Sequence, residues 1–286
     1  MRGIVLAGGS GTRLWPITRG VSKQLLPVFD KPLVYYPIST LMLSGIREIL
    51  IITTPRDAQA FKELLGSGED LGVEFSYAIQ ENPGGIAQSI IIAKDHIENE
   101  VTVLILGDNI FYGNGIGELI SKHRLTREAH IFAYRVSDPE RYGVIEFGID
   151  NSVLGVEEKP ASPHSNFAVP GLYIYPKDVL ELVKTLRPSA RNELEITDLN
   201  NLYINQNRLS VSKLPRGTAW LDTGTFESLN SASNFVRIIE ERQGLKIACL
   251  EEIAWRKGWI SETQLLSLAN KYRDSSYLHY ISSLFE

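Results

Sequence analysis

The sequence predicts an α/β protein whose core is a mostly parallel twisted sheet flanked by helices, with antiparallel additions and a C-terminal helical segment. Three observations carry this expectation. In the first half, apolar runs of strand length alternate with stretches of helical spacing, the pattern of a parallel sheet wound by crossovers. From Ile131 the runs shorten and turn signals such as Gly148-Ile149-Asp150-Asn151 separate them, as in antiparallel hairpins. After Phe226 the spacing is helical again. Such a sheet is Rossmann-like, and its ligands bind beyond the carboxyl ends of its central strands.

The first strand, 4–6, runs into Ala7-Gly8-Gly9-Ser10-Gly11-Thr12-Arg13. Gly8, Gly9 and Gly11 have no Cβ, so the chain can turn tightly and bring backbone N–H groups, that of Thr12 included, against an anion. Arg13 adds a fixed fork of charged donors. A merely flexible turn is the plain alternative. The loop lacks a Gly-Lys-Ser/Thr ending, and Arg13 stands where a dinucleotide fingerprint has its third small residue, so neither familiar phosphate loop matches.

Helical spacing over 33–43, 57–65 and 86–96 alternates with strands at 49–53, 75–79 and 101–106. The last of these strands is apolar throughout and belongs at the centre of the sheet, which puts Asp108 at the mouth of the crevice. Asp108 is either a hard oxygen ligand suited to Mg²⁺ or the cap of a turn with Asn109. Farther on, 143–147 and 153–157 predict a hairpin that delivers Glu158 and Lys159 to a fixed place, unless Glu157-Glu158-Lys159 is a solvated charge cluster. Asp222 closes the short run Trp220-Leu221 with Gly224 behind it. It is either a second site carboxylate or the N-cap of the helix near Phe226, a position Thr225 could also fill. Two or three helices finish the chain, with Leu265, Leu266, Leu268 and Ala269 on one apolar face.

At 286 residues and 43% hydrophobic content the chain can bury a substantial core, enough for one large domain or one and a half. A net charge of -5, a pI near 5.7 and the lack of a basic stripe argue against nucleic acid and anionic membranes as partners. No apolar stretch approaches the ~20 residues of a membrane helix. The single Cys249 can form no intramolecular disulfide and is expected to be a buried structural thiol. Together these features lead us to expect a soluble cytoplasmic protein.

The glycine loop with Arg13-Leu14 is followed by Ser22-Lys23-Gln24-Leu25-Leu26-Pro27 and Lys31-Pro32-Leu33-Val34-Tyr35-Tyr36-Pro37. Later come Leu106-Gly107-Asp108-Asn109, Glu157-Glu158-Lys159-Pro160, Gly171-Leu172-Tyr173, Trp220-Leu221-Asp222-Thr223-Gly224 and Gln243-Gly244-Leu245-Lys246. Together these motifs resemble the sugar-phosphate nucleotidylyltransferases, and within them the thymidylyltransferases, over nearly the whole chain. The resemblance implies transfer of a thymidylyl group from dTTP to glucose 1-phosphate, a first step toward dTDP-sugars such as dTDP-rhamnose. It implies Mg²⁺ held by Asp108 and Asp222, and Arg13, Lys23 and Lys159 as further catalytic residues. It assigns nucleotide contacts to Gly8, Gly9, Gly11, Thr12, Arg13, Lys23, Gln24, Gln80, Gly85 and Asp108. Tyr142, Gly143, Glu158, Lys159 and Val169 fall at its sugar-phosphate positions, with core packing an equal reading for Val169.

Gln80 offers both a donor and an acceptor to a pyrimidine edge, and Gly85 admits a flat ring closely. Here the chain departs from the family pattern, reading Pro83-Gly84-Gly85-Ile86-Ala87-Gln88-Ser89 where Pro-Asp-Gly-Leu-Ala-Gln-Ala is general. By the same resemblance, 1–242 forms the core, with a nucleotide-binding half of about 1–130 and a sugar-phosphate half of about 131–242. Residues 243–286 are expected to pack on that core or on a neighbouring subunit. Thymidylyltransferases of this type are commonly tetramers inhibited by a downstream dTDP-sugar bound away from the active centre. Arg216-Gly217 with Glu252, Trp255, Arg256 and Gly258 could form such a site, unless Trp255 only anchors the C-terminal helices. A uridylyl- or cytidylyltransferase and an inert nucleotide-sugar sensor are the rivals. A nicotinamide-dependent dehydrogenase is disfavoured by Arg13 and by the lack of a clear ribose-binding acid about twenty residues after the glycines.

Overall fold

Ten strands join in one sheet in the computed structural model, which describes residues 1–9, 11–271 and 275–285. Four neighbours form one parallel block, in the spatial order Glu74–Ile79, Glu48–Thr53, Arg2–Leu6 and Thr102–Leu106, and Leu209–Lys213 pairs parallel with Ala129–Arg135 elsewhere in the sheet. The Val/Ile/Leu-rich runs read from the sequence are these strands. Ile4, Val5, Val103, Leu104 and Ile105 are sealed from solvent because helices or other strands cover both faces. Strand order reverses at Arg2–Leu6, whose register with Thr102–Leu106 pairs Leu6 with Leu106. The glycine loop and Gly107-Asp108 therefore leave the sheet side by side, and the Gly107 N–H donates to the Leu6 carbonyl at 2.9 Å. A crevice opens where strand order reverses in such sheets.

The second half extends this sheet instead of starting another. Leu172–Tyr175 lies antiparallel between Thr102–Leu106 and Ala129–Arg135, and Phe167–Ala168, Gly143–Phe147 and Val153–Glu158 continue outward. The expected hairpin is present, with Gly143 opposite Glu158. A separate two-stranded ribbon pairs Asn109–Tyr112 with Ala219–Asp222 and sets Asp222 opposite Asn109.

Some elements differ from their sequence-based expectation. The helix expected over 86–96 is two short pieces, Gln88–Ile92 and Lys94–Ile97, meeting at Ala93. Three consecutive isoleucines, each β-branched and stiff, lower the helix propensity there. Among the described residues four helices, not two or three, follow Thr225: Phe226–Gln243, Leu250–Arg256, Glu262–Lys271 and Ser276–Ser283. Gly244, in the left-handed conformation at φ 67°, ends the first of them. Leu250, Ala254, Leu265, Leu278 and Ile281 from the last three, with Ile260 between two of them, join the same apolar cluster as Val5, Ile49 and Val103. Leu265 and Ala269 are buried, whereas Leu266 and Leu268 are only half-buried. Cys249 is buried, and that burial pushes its thiol pKa up. No helix among the described residues is long and apolar enough to cross a membrane.

A buried ionic quartet fastens the long helix to the turn that follows the Lys23 motif. Lys31 and Lys246 each contact Asp30, and each lies 2.9 Å from the Glu240 carboxylate, with the Lys31 and Glu240 side chains 2% and 4% exposed. The Ile247 N–H donates to the same carboxylate at 2.8 Å.

Candidate active site

The crevice floor is the glycine loop. Gly9 and Gly11 have φ of 106° and 59°, values that L side chains rarely adopt. Gly11 is further fixed by the buried Thr18, whose Oγ1 donates to its carbonyl at 2.7 Å. The 3₁₀ turn Thr12–Leu14 then carries Arg13 to the rim. A cavity of about 230 Å³ lies between this loop, Lys23, Gln24, Asp108 and Gly224. The Ser10 amide, part of the expected anion cradle, lies outside the described residues.

Lys23–Leu25 is a second 3₁₀ turn, held from behind by the Val34 N–H on the Gln24 carbonyl at 2.9 Å. It buries Lys23, and a buried ammonium requires a partner. That partner is Asp108, 2.6 Å away. Burial disfavours the charged form of Asp108, but the Lys23 ammonium and the Asn109 amide outweigh it and hold the carboxyl below its usual range. Gln24 lies under the loop, its Oε1 accepting from the Ser22 hydroxyl and its Nε2 reaching the Gly8 carbonyl at 3.4 Å.

The ribbon brings Asp222 to the same place. Its neighbour Thr223 donates to the Asp108 carbonyl at 2.8 Å. Asp222 is not the helix cap: Thr225 fills that role in a reciprocal capping box with Ser228. Burial first, and then the charge of Asp108, raise the Asp222 pKa against the pull of Lys23, Arg141 and Arg13. Two carboxylates that disfavour each other's charge suit a cation between them, and both supply hard oxygens. No group of three or more His, Cys, Asp or Glu among the described residues could hold a metal alone. An ion here would complete its shell with water and phosphate oxygens, as Mg²⁺ usually does.

The opposite wall is built on the hairpin. Glu158 accepts from the Thr197 hydroxyl at 3.2 Å, and its carboxylate lies 3.2 Å from the Lys159 ammonium. Lys159 has φ 48°, a left-handed conformation that a lysine adopts only when its surroundings impose it, here through its N–H on the Tyr142 carbonyl at 3.0 Å. Tyr142 packs edge-on against Trp220. Gly143 has room for a Cβ only 3.4 Å from the Glu158 carboxylate and accepts the Val169 N–H at 2.8 Å. The Val169 side chain is buried in the core, the packing alternative.

Two arginines of this wall escaped sequence reasoning. Arg141 lies 3.5 Å from Asp222 and 2.7 Å from Asp138, and Arg191 reaches Glu158 at 3.9 Å while paired with Glu195 at 2.8 Å. Both sit in turns rich in charge, where nothing marks one arginine above its neighbours.

Gln80 and Gly85 stand at the end of strand Glu74–Ile79. Gly85 is required to be glycine by the protein itself, since a Cβ there would lie 2.3 Å from the Leu194 carbonyl. Gln80 is buried, and its Nε2 donates to the Gln88 Oε1 at 2.7 Å and to the Gly85 carbonyl at 3.3 Å. The donor expected to be available to a base is therefore already engaged. Farther away, a cavity of about 430 Å³ is lined by Glu252, Arg256, Gln243, Lys246 and Gly113. Arg256 is bound to Glu252 at 2.6 Å. Arg216-Gly217 forms an exposed turn next to Thr218, which touches Gly113. Trp255 is not part of this lining but packs edge-on against Phe285, the anchoring alternative.

A glycine-loop anion cradle, a lysine and two carboxylates at the switch point of a Rossmann-like sheet define a class of nucleotide-handling enzyme. Residues 2–238 match the nucleotidyl transferase family, and the chain belongs to it. The relatives narrow the class: the glucose-1-phosphate thymidylyltransferase of Mycobacterium tuberculosis (strain CDC 1551 / Oshkosh) is 55% identical over 286 residues, covering 100% of this chain and 99% of its own. That of Neisseria meningitidis serogroup A is 53% identical over 287 residues, covering 100% of both chains. Among solved structures, a candidate glucose-1-phosphate thymidylyltransferase of Bacillus anthracis in complex with a sucrose has a TM-score of 0.77. It shares 40% identity and covers 83% of this chain and 95% of its own. UDP-glucose pyrophosphorylase complexed with UDP-glucose gives 0.73 at 26% identity, covering 83% of this chain and 98% of its own. The chain is accordingly a nucleotidyltransferase.

Proposed function

We propose that the protein transfers a thymidylyl group from dTTP to glucose 1-phosphate, giving dTDP-glucose and pyrophosphate, a precursor of sugars such as dTDP-rhamnose. The observation that carries this reading is the pairing of two walls across one crevice: Arg13, Lys23, Asp108 and Asp222 on one, Glu158 and Lys159 on the other. Full-length relatives that bear that activity's name support the choice of substrates.

A sugar phosphate has a second pKa of about 6, so its oxygen is already anionic at neutral pH and needs no general base. The barrier is the meeting of two anions, which calls for positioning and charge neutralisation. Backbone amides of the glycine loop and the Arg13 guanidinium hold the triphosphate. Lys23 leaves Asp108 for the α-phosphate, Lys159 orients the attacking phosphate, and Glu158 takes the sugar hydroxyls. Asp108 and Asp222 would hold Mg²⁺, which supplies Lewis-acid stabilisation of phosphate charge. Cys249 and its raised thiol pKa lie in the core, so no nucleophilic thiol serves this crevice.

Product formation from four nucleoside triphosphates against several hexose 1-phosphates tests the reading. dTDP-glucose is expected to dominate. A uridylyl or cytidylyl product formed faster would replace it.

We also read the 430 Å³ cavity as a second nucleotide site for a dTDP-sugar, and the assembly as a tetramer. The Arg256–Glu252 pair at the cavity, the exposed Leu245 in its lining and the exposed Ile238 on the long helix support these readings.

A further inference from the structure

We propose that Gln88 decides which pyrimidines the site accepts, by holding the Gln80 carboxamide with its oxygen toward the nucleotide cleft. This rests on the reading of Gln80 as the base contact. Backbone groups at both ends fix the orientation of the two amides. The Gly84 N–H can only donate, so the Gln88 atom 3.1 Å from it is Oε1. The Gly85 carbonyl can only accept, so the Gln80 atom 3.3 Å from it is Nε2. That Nε2 also donates to Gln88 Oε1 at 2.7 Å, which commits both of its hydrogens.

The Gln80 Oε1 accepts no hydrogen bond among the described residues, and it is not one of the sealed, unpartnered atoms. It lies against the glycine loop, where a Cβ on Gly8 would come within 2.5 Å of it. Gly8 lines the cavity shared by Arg13, Lys23 and Asp108. The group offered to a base is thus an acceptor alone. N3 of thymine and of uracil carries a hydrogen and donates; N3 of cytosine is a bare acceptor. Turning the Gln80 amide to suit cytosine would set its oxygen against the Gly85 carbonyl and Gln88 Oε1 at once, two contacts between acceptors. Gln88 in this way supplies the repulsive half of the discrimination.

Gly84 borders the Gln88 side chain: a Cβ there would lie 2.7 Å from the Gln88 carboxamide and would require it to shift from the position seen here. Gln88 acts through its hydrogen bond to Gln80 and is a positioning residue.

Calorimetric titration with dTTP and with dCTP requires no turnover and reads the ratio of the two Kd values. The wild type is expected to favour dTTP by at least about 100-fold. Gln88→Leu, which removes the acceptor, is expected to reduce that ratio at least about tenfold, while Gln88→Glu, which keeps an acceptor, holds it within about threefold. An unchanged ratio in Gln88→Leu, with Gln80→Ala lowering it, overturns the proposal. Should Gln88→Leu fail to fold, exchange of the Gln80 amide protons in the unmodified protein decides instead. Exchange about tenfold slower than for an exposed glutamine supports the arrangement, and equally fast exchange overturns it. A protein that prefers dTTP in binding but forms no dTDP-sugar removes the proposed reaction and leaves this inference standing.

Discussion

Lys23 and Asp108 hold each other at 2.6 Å, and only 9% of the lysine side chain is exposed. The cation assigned to the α-phosphate is therefore already paired with a carboxylate assigned to the metal, so substrate and metal must enter by exchanging partners with a contact the protein makes to itself. Asp108→Asn is expected to cut turnover by about 10³-fold or more, and to destabilise the fold by about 1–3 kcal/mol because it strands a buried ammonium. Asp222→Asn is expected to lose turnover equally, with stability within about 1 kcal/mol of wild type, since burial and the Asp108 charge already disfavour that carboxylate. Steady-state rates over a range of Mg²⁺ concentrations, with thermal unfolding alongside, check both. Near-wild-type turnover at limiting Mg²⁺ in either variant contradicts the metal assignment.

Arg13→Ala is expected to lower kcat more than it weakens nucleotide binding, because its charge matters most at the pentavalent phosphorus. Lys159→Ala is expected chiefly to raise the KM for glucose 1-phosphate. Kinetics with each substrate varied in turn separate the two, and a Lys159 variant altered only in its nucleotide KM contradicts its place on the sugar wall.

The buried His130 stacks on His123 at 3.7 Å, and burial first, then the His123 charge, push its pKa down to about 3. The unfolded chain, with an ordinary value of about 6.5, binds this proton more readily than the native one. Stability is therefore lost as pH falls below about 6.5, at up to about 1.4 kcal/mol per unit until the folded value is reached. Denaturant unfolding between pH 7 and pH 5 is expected to show this slope, reduced by about one proton in His130→Gln. A slope that the substitution leaves unchanged assigns the loss to other groups.

Glu240→Gln is expected to destabilise the protein by about 3 kcal/mol or more, since Asp30, shared with Lys246, is then the one carboxylate left to Lys31 among its ion-pair partners. The double variant Lys31→Met/Glu240→Leu removes both buried charges and is expected to recover most of the loss. Denaturant midpoints measure both, and a double variant less stable than Glu240→Gln refutes the account.

A nucleotide site in the 430 Å³ cavity predicts that dTDP-rhamnose inhibits with a component not relieved by saturating both substrates. Arg256→Ala is expected to abolish that component and spare turnover. Purely competitive inhibition, unaltered by the substitution, disposes of the second site.

The parallel half of the sheet was legible because strands buried on both faces are written as unbroken apolar runs, and 101–106 is the clearest of them. The position of Asp108 at the crevice mouth followed from that strand, whereas its role as a ligand or a turn cap did not. Asp222 did not, because its place depends on the ribbon pairing it with Asn109, a contact between distant segments that no local pattern encodes. Arg141 and Arg191 were hidden among neighbouring charges. The link from Gln80 to Gln88 was illegible for another reason: it crosses a turn whose path depends on Gly85 fitting against Leu194. Helix breaks such as the one at Ala93 lie below the resolution of periodicity.

The antiparallel strand Leu172–Tyr175 is hydrogen-bonded to Thr102–Leu106 on one side and Ala129–Arg135 on the other. The two walls of the crevice are thus welded through one continuous sheet, and no hinge separates them. Domain closure of the kind that shuts many bilobed enzymes would tear that ladder, so any tightening around bound phosphates falls to the short segments above it. Those are the Arg13 turn, the stretch around Arg141 and the Arg191 loop, each carrying a guanidinium that can swing inward while the frame beneath stays rigid.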